Sequence, residues 1–351
     1  MSPPPLRTLQ LPEEVVEEIL LRLLASSLPP LKRVCRSWRT LISSSKFANE
    51  HLRRSILADP SLTRPQIAYW SQSYADRRIG VFSARSVLEN TRAEPTKVAS
   101  MVGKRYFRII GSCNGLLCLI HESHSLTSAI LWNPSTGFTS QPTPDITGVF
   151  VYGGFGYDHT SNRYKLFMMT VDRENRQRSK IYTFAPNLSW KTIQGFDFSL
   201  LGHRRDDHCP IDEEYNQEGV FVNSSNTLNW NVQRYRGMDV IISLDLGKES
   251  FWYFIPPRKG SEYGVTQSWT RLALIPRQGV NPLHSHCLLP LYISENDVLL
   301  AIAPYCKLVL WDLNNNDGNL VRVIESFGDG MEEKDAIYRY FHVYRESLVS
   351  P

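Results

Sequence analysis

No stretch of this chain approaches the roughly 18 consecutive apolar residues of a membrane span, so no membrane partner is expected. Residues 1–10 (MSPPPLRTLQ) hold no apolar segment of the kind a secretory leader needs. Lys and Arg gather no further than pairs such as Arg53-Arg54, Arg77-Arg78 and Arg204-Arg205, and the net charge is +4 over 351 residues. Nucleic acid is therefore not an expected partner. Cysteine is scarce: six residues at irregular spacings, with no CxxC pair, which favours reduced thiols over a disulfide framework.

Sequence patterns of catalysis are missing too. There is no HExxH pair and no G-x-S-x-G elbow. Gly153-Gly154-Phe155-Gly156 lacks the following helix and the Lys-Ser/Thr of a phosphate loop. His203, Asp206, Asp207, His208 and Cys209 are the densest set of ligand-type side chains. They lie in a polar stretch without metal-ligand spacing and read as a solvated loop, as do His284, His286 and Cys287. Cys113 and Cys118 alternate with apolar residues and read as core. No catalytic residue, metal or cofactor is expected.

What is present divides into two patterns. Val15, Val16, Ile19, Leu20, Leu23 and Leu24 recur at the i, i+3, i+4 spacing of a helix with one apolar side. Pro12 suits the first helical position, and Glu13 and Glu14 suit the positive end of the helix dipole. A second series, Leu31, Val34, Cys35, Trp38, Leu41 and Ile42, predicts a further helix, with Lys32, Arg33, Arg36 and Arg39 on its wet face and Cys35 on its apolar one. A short helix over 48–54 follows, ended by Pro60. About 40 residues cannot bury both stripes within themselves. Either the rest of the chain or another protein covers them.

From about residue 65 the period changes. Short β-rich runs fall at 66–70, 79–83, 106–111, 116–121, 129–133, 164–171, 180–185, 219–222, 228–232, 240–246, 251–255, 269–275, 288–293, 298–303, 307–312 and 320–326. So many strands must close or stack to hide their edges. A faint repeat favours closure. Ile130-Leu131-Trp132-Asn133, Ile181-Tyr182-Thr183-Phe184, Ile242-Ser243-Leu244-Asp245 and Leu308-Val309-Leu310-Trp311-Asp312 are each an apolar strand running into a turn. Their spacing is near that of propeller blades. The long polar stretches 89–104 and 200–218 are poor in strand signal and are candidates for binding loops.

Two resemblances sharpen this. Leu11-Pro12-Glu13-Glu14, Ile19-Leu20-Leu21-Arg22-Leu23, Val34-Cys35-Arg36-Ser37-Trp38-Arg39-Thr40-Leu41-Ile42 and Phe47 look like the F-box. Leu24 stands where that family usually has Pro, and Pro29-Pro30 place the start of the second helix near Pro30. Gly111-Ser112-Cys113-Asn114-Gly115-Leu116-Leu117, Leu131-Trp132-Asn133-Pro134-Ser135-Thr136-Gly137, Gly154-Phe155-Gly156-Tyr157-Asp158 with Tyr164-Lys165, Ser243-Leu244-Asp245-Leu246 with Glu249 and Phe251, and Tyr344-Arg345-Glu346-Ser347-Leu348 resemble the plant F-box-associated region, in its type 1-like form. Regular kelch motifs are absent. Read by residue type, these segments build turns and scaffold.

The resemblances imply a small all-α N-terminal F-box followed by a large all-β, propeller-like domain. They imply a disordered tail over 1–10, an F-box helical domain over 11–54, a linker over 55–64 and an F-box-associated domain over 65–348. They also imply a non-catalytic substrate receptor. The F-box docks a Skp-family adaptor and through it a cullin–RING ubiquitin ligase, while the β-domain holds a protein substrate, in the cytoplasm or nucleus. Leu11, Pro12, Ile19, Leu20, Leu23, Val34, Cys35, Trp38, Leu41 and Ile42 are the expected adaptor-binding residues, with Trp38 offering the largest apolar area. Three other readings stay open: a propeller enzyme, a carbohydrate-binding module, or an F-box protein working outside a cullin ligase.

Overall fold

A computed structural model describes residues 11–57, 63–72, 79–90, 92–99, 107–123, 126–174, 176–185, 189–194, 218–234, 238–254, 289–303, 307–314, 320–324, 326–327 and 338–350. The expected tail over 1–10, the run at 269–275, His203–Cys209 and His284–Cys287 lie outside the described residues, as does nearly all of 200–218.

Helices α1 (Glu13–Leu21), α2 (Leu28–Leu31), α3 (Arg36–Ser43) and α4 (Ser45–Leu57) open the chain. Pro12 sits one position earlier than expected, at the cap of α1, where its carbonyl accepts the amides of Val15 and Val16. The second apolar series is not one helix. Pro29 and Pro30 lie in the first turn of α2, where their missing N–H groups cost nothing, and α2 ends after one turn. The chain then turns through Val34 and restarts at Cys35, whose extended backbone (φ −158°, ψ 173°) caps α3. Helix α4 begins three residues before the expected helix. The Ser44 hydroxyl accepts the Phe47 amide at 3.2 Å and fixes that start.

The body is built from four-stranded antiparallel units. The first holds β1 (Pro65–Gln72), β2 (Ile79–Ser83), a short helix α5 (Ala84–Glu89), β3 (Arg92–Ala93) and β4 (Lys97–Ala99). The second holds β5 (Phe107–Cys113), β6 (Leu116–Ser123), β7 (Leu126–Trp132) and β8 (Ile146–Thr147). The third holds β9 (Val149–Asp158), β10 (Arg163–Val171), β11 (Gln177–Thr183) and β12 (Lys191–Thr192). The fourth holds β13 (Glu218–Val222), β14 (Thr227–Arg234), β15 (Met238–Asp245) and β16 (Ser250–Phe254). The fifth holds β17 (Leu289–Ile293), β18 (Val298–Ala303), β19 (Lys307–Asp312) and β20 (Leu320–Val323). The short β21 (Ser326–Phe327) pairs with β3.

The last strand, β22 (Tyr338–Arg345), returns to pair with β1, giving the order β22-β1-β2-β4. The chain thus completes its first blade with its final strand, which is how a propeller avoids two open edges. Blades three and four join at their inner strands through a short parallel contact, Glu218↔Gly153 and Gly219↔Gly154. The Gly-rich run considered above as a phosphate loop lies within β9. Its glycines admit the neighbouring blade: a Cβ at Gly154 would stand 3.2 Å from the Trp230 ring, and the Trp230 indole N–H donates to the Gly153 carbonyl at 3.1 Å.

The four repeat copies fall on β7, β11, β15 and β19, the third strand of four successive blades. Three of them end in the same side-chain-closed turn. Asn133 Oδ1 accepts the Ser135 amide at 2.8 Å, Asp245 Oδ1 the Gly247 amide at 2.9 Å, and Asp312 Oδ1 the Asn314 amide at 2.9 Å. The stretch 89–104, expected to be a loop, instead carries the end of α5 and strands β3 and β4.

One apolar cluster runs through both parts of the molecule. Leu20, Leu21, Leu28, Ile42 and Phe47 of the helices share it with Ile110, Cys113, Leu116, Phe155, Leu348 and Val349.

Candidate docking surface on the helical unit

Helix α1 carries two apolar stripes. The inner one, Val16 and Leu20, faces the cluster. The outer one starts at Leu11 and Pro12 and continues through Val15 and Ile19 at i+4 steps. Leu11 is 59% exposed, Val15 42% and Ile19 47%. Val34, at the turn between α2 and α3, is 60% exposed. An ordinary surface helix hides its apolar side and shows a polar one; this one shows apolar residues on both.

The expected adaptor-binding residues sort into three groups. Leu11, Pro12, Ile19, Val34 and Cys35 are exposed. Leu23, Trp38 and Leu41 are half-buried against the core cluster. Leu20 and Ile42 are buried, at 0% and 2% exposure, so their role is inner packing and not contact with a partner. Val15 belongs with the exposed stripe and was not among the expected contacts. Its place four residues before Ile19 was the available sign.

Cys35 is a further correction. It is exposed at the cap of α3 and not on a buried face. Its Sγ lies 3.1 Å from the Ser37 hydroxyl. That bond, with help from the Trp38 amide, lowers the thiol pKa from its usual value. Cys113 and Cys118 are buried free thiols as expected, and burial pushes both pKa values up. Cys209, Cys287 and Cys306 lie outside the described residues.

An ion pair joins α1 to α4. Arg54 of α4 donates to both Glu18 oxygens of α1, at 3.0 and 2.9 Å, and its Nε donates to Glu50 at 2.9 Å. Arg53 and then Arg54 hold the Glu50 carboxyl down to about 2. A shallow, charged cleft of about 590 Å³ follows this α1–α4 seam, lined in part by Glu14, Glu17, Lys46 and Glu50.

Buried His51 donates from Nε2 to the Leu23 carbonyl at 2.8 Å, while its Nδ1 has no partner among the described residues. Burial lowers its pKa below 6.5. A depressed histidine pKa means the unfolded chain binds the proton more readily. The His51 contribution to stability is therefore full above about pH 6.5 and is lost as pH falls below it. Carbon-detected titration of the His51 ring is expected to show a midpoint below pH 6.5, where an exposed histidine is half protonated.

The body holds a second polar constellation, drawn from the segments that resemble the F-box-associated region. The Lys165 ammonium donates to the Leu246 carbonyl at 2.7 Å and to Glu249 at 2.9 Å, and sits 3.0 Å from Asp158. Asp158 also accepts from Thr160, Ser161 and Asn226, and Glu249 from Lys191 at 2.5 Å. Burial alone would raise the Asp158 pKa, but the Ser161, Thr160 and Lys165 hydrogen bonds outweigh it and hold the carboxyl well below the usual range. Each charge is met by partners, so this is a clasp between blades three and four. Among the described residues no group of three or more His, Cys, Asp or Glu side chains is placed to hold a metal ion, and no helix is long and apolar enough to cross a membrane.

An open-striped helical unit followed by an array of four-stranded blades fits an F-box followed by a propeller-like body. Residues 8–49 match the F-box domain, and residues 72–280 match the F-box associated beta propeller domain. The chain belongs to the F-box associated beta propeller family. It is similar to the F-box/kelch-repeat protein At3g23880 of Arabidopsis thaliana, 29% identical over 69% of this chain and 64% of that one. It is also similar to the F-box protein At5g65850 of the same plant, 28% identical over 56% of this chain and 47% of that one. The matched region thus spans less than two thirds of these relatives' lengths. Among solved structures, the beta-propeller domain of the Trilobed protease from Pyrococcus furiosus aligns at 10% identity with a TM-score of 0.27, covering 62% of this chain and 57% of that one. Nothing further rests on so slight a likeness.

Proposed function

We propose that this chain is the substrate-recognition subunit of an SCF-type (Skp–cullin–F-box) ubiquitin ligase. The exposed stripe of Leu11, Pro12, Val15 and Ile19 carries the reading: it is apolar, and it rests on helices that are already packed and paired on their other side. Such a surface suits an adaptor that lays a helix against it. A Skp-family adaptor is the partner the F-box match favours, with a cullin–RING ligase bound through it. The chain itself performs no chemistry. It raises the effective concentration of a protein substrate near the conjugating enzyme. The body holds that substrate, and the complex works in the cytoplasm or nucleus.

The test is reconstitution of the full chain with purified adaptor and cullin–RING subunits. Co-elution of all partners is expected. Capture of the adaptor without the cullin would support work outside the ligase. Glycan binding or metal in the purified chain, with no adaptor capture, would support the enzyme or carbohydrate readings.

A further inference from the structure

Three motifs far apart in sequence meet beyond the end of β22. Ser347, Leu348 and Val349 are buried, and Leu348 and Val349 lie in the cluster shared with Leu20, Leu28 and Phe47. Their backbone is tied to blade two. Asn133 Nδ2 donates to the Ser347 carbonyl at 3.1 Å and to the Val349 carbonyl at 2.8 Å. Its Oδ1 accepts the amides of Ser135 and Thr136, so this buried amide uses its full hydrogen-bonding capacity. The Ser347 hydroxyl donates to the Asn114 carbonyl at 2.5 Å. Gly115 (φ +81°) follows because a Cβ there would strike Ser347. The same segment also grips the connection that leaves the helices: Arg345 donates to the Thr63 carbonyl at 3.2 Å, and the Glu346 amide to the Arg64 carbonyl at 3.4 Å.

We propose that residues 346–349 are a lock that fixes the orientation of the helical unit on the propeller. A lone apolar contact between two units slides. Here the body's side of the contact is fixed, because hydrogen bonds hold Ser347 to Val349 on blade two, and the segment leading from the helices is held at Thr63 and Arg64. The lock makes Asn133 a positioning residue: it touches no partner, yet it sets where a substrate on the body stands relative to an adaptor on α1. That consequence rests on the proposed function; the lock itself does not.

The experiment compares the full chain with Asn133→Asp and with a chain ending after Glu346, using methyl relaxation to measure rotational correlation times for the helical unit and the body separately. Asn133→Asp keeps the acceptor of the turn and puts an oxygen where the donor faced two carbonyls. The shortened chain removes the same ties without burying a carboxylate, and decides the matter should the first variant fail to fold. The wild-type chain is expected to tumble with one correlation time. Both variants are expected to show a shorter time for the helices than for the body, with adaptor affinity unchanged. Two times in the wild-type chain, or one time in a folded variant, would overturn the lock. Cooperative loss of the whole fold in the shortened chain would overturn it too, since residues 346–349 would then be core and nothing more. Failure of the wild-type chain to bind adaptor would remove the proposed function and leave the tumbling result standing.

Discussion

Lys165→Met is expected to destabilise the protein by about 3–5 kcal/mol, because it removes the ammonium shared by two carboxylates and leaves buried Asp158 charged with only neutral donors, while Glu249 keeps Lys191. Asp158 is 1% and Lys165 5% exposed, and the side chain of Glu249 is 15% exposed. A domain is stable by about 5–15 kcal/mol in all, so one substitution approaches the limit of folding. The pH dependence separates this from mere loss of packing. The depressed Asp158 pKa means that its share of stability is present above the unfolded value of about 3.9 and is lost as pH falls through the folded value. In the variant the carboxyls gain from protonation. The gap between wild type and variant, read from urea unfolding, should therefore narrow from pH 7 to pH 4. Adding Asp158→Asn and Glu249→Gln should recover part of the loss. A gap that does not change with pH would show that the lysine is held for its stem and not its charge.

Val15→Asp combined with Ile19→Asp is expected to weaken adaptor binding by roughly 30-fold or more, the effect of removing about 2 kcal/mol of hot-spot contact. Both positions face solvent, so the melting temperature should hardly move. Leu20, one residue on, gives the opposite pattern. It is fully buried, and Leu20→Ala should cost about 2–5 kcal/mol of stability through the cavity it leaves. Titration calorimetry and thermal unfolding on the same samples separate the two effects. Stability loss in the Val15/Ile19 variant, or unchanged adaptor affinity, would show that the outer stripe is not a docking surface.

Much of the architecture was legible because its period is regular. The repeat at β7, β11, β15 and β19 could be seen because each copy is an apolar strand, and three of them run into a turn closed by an Asn or Asp side chain. Strand β9 was missed as a strand, although it is the inner strand of its blade. Its glycines lower strand propensity, and what favours Gly154 and Gly156 is the next blade, whose Leu228, Trp230, Phe221 and Leu246 pack against them and which no local pattern reveals. The break between α2 and α3 was hidden because the apolar spacing runs through it unbroken, while the backbone follows the Pro29-Pro30 turn. For the docking residues, helical spacing puts Val15, Ile19 and Leu20 in one apolar set. Ile19 and Leu20 point about 100° apart, and only the packing of α4 and the body decides which side is covered. The convergence of Asn114, Asn133 and Ser347 could not be read at all, since it joins residues more than 200 positions apart.

The most direct measurement is hydrogen exchange on the full chain during titration with a purified Skp-family adaptor. Saturable binding should come with new protection over 11–19 and at the Val34 turn, and none on the blades. Absence of binding, or protection confined to the body, would contradict docking through the outer stripe of α1.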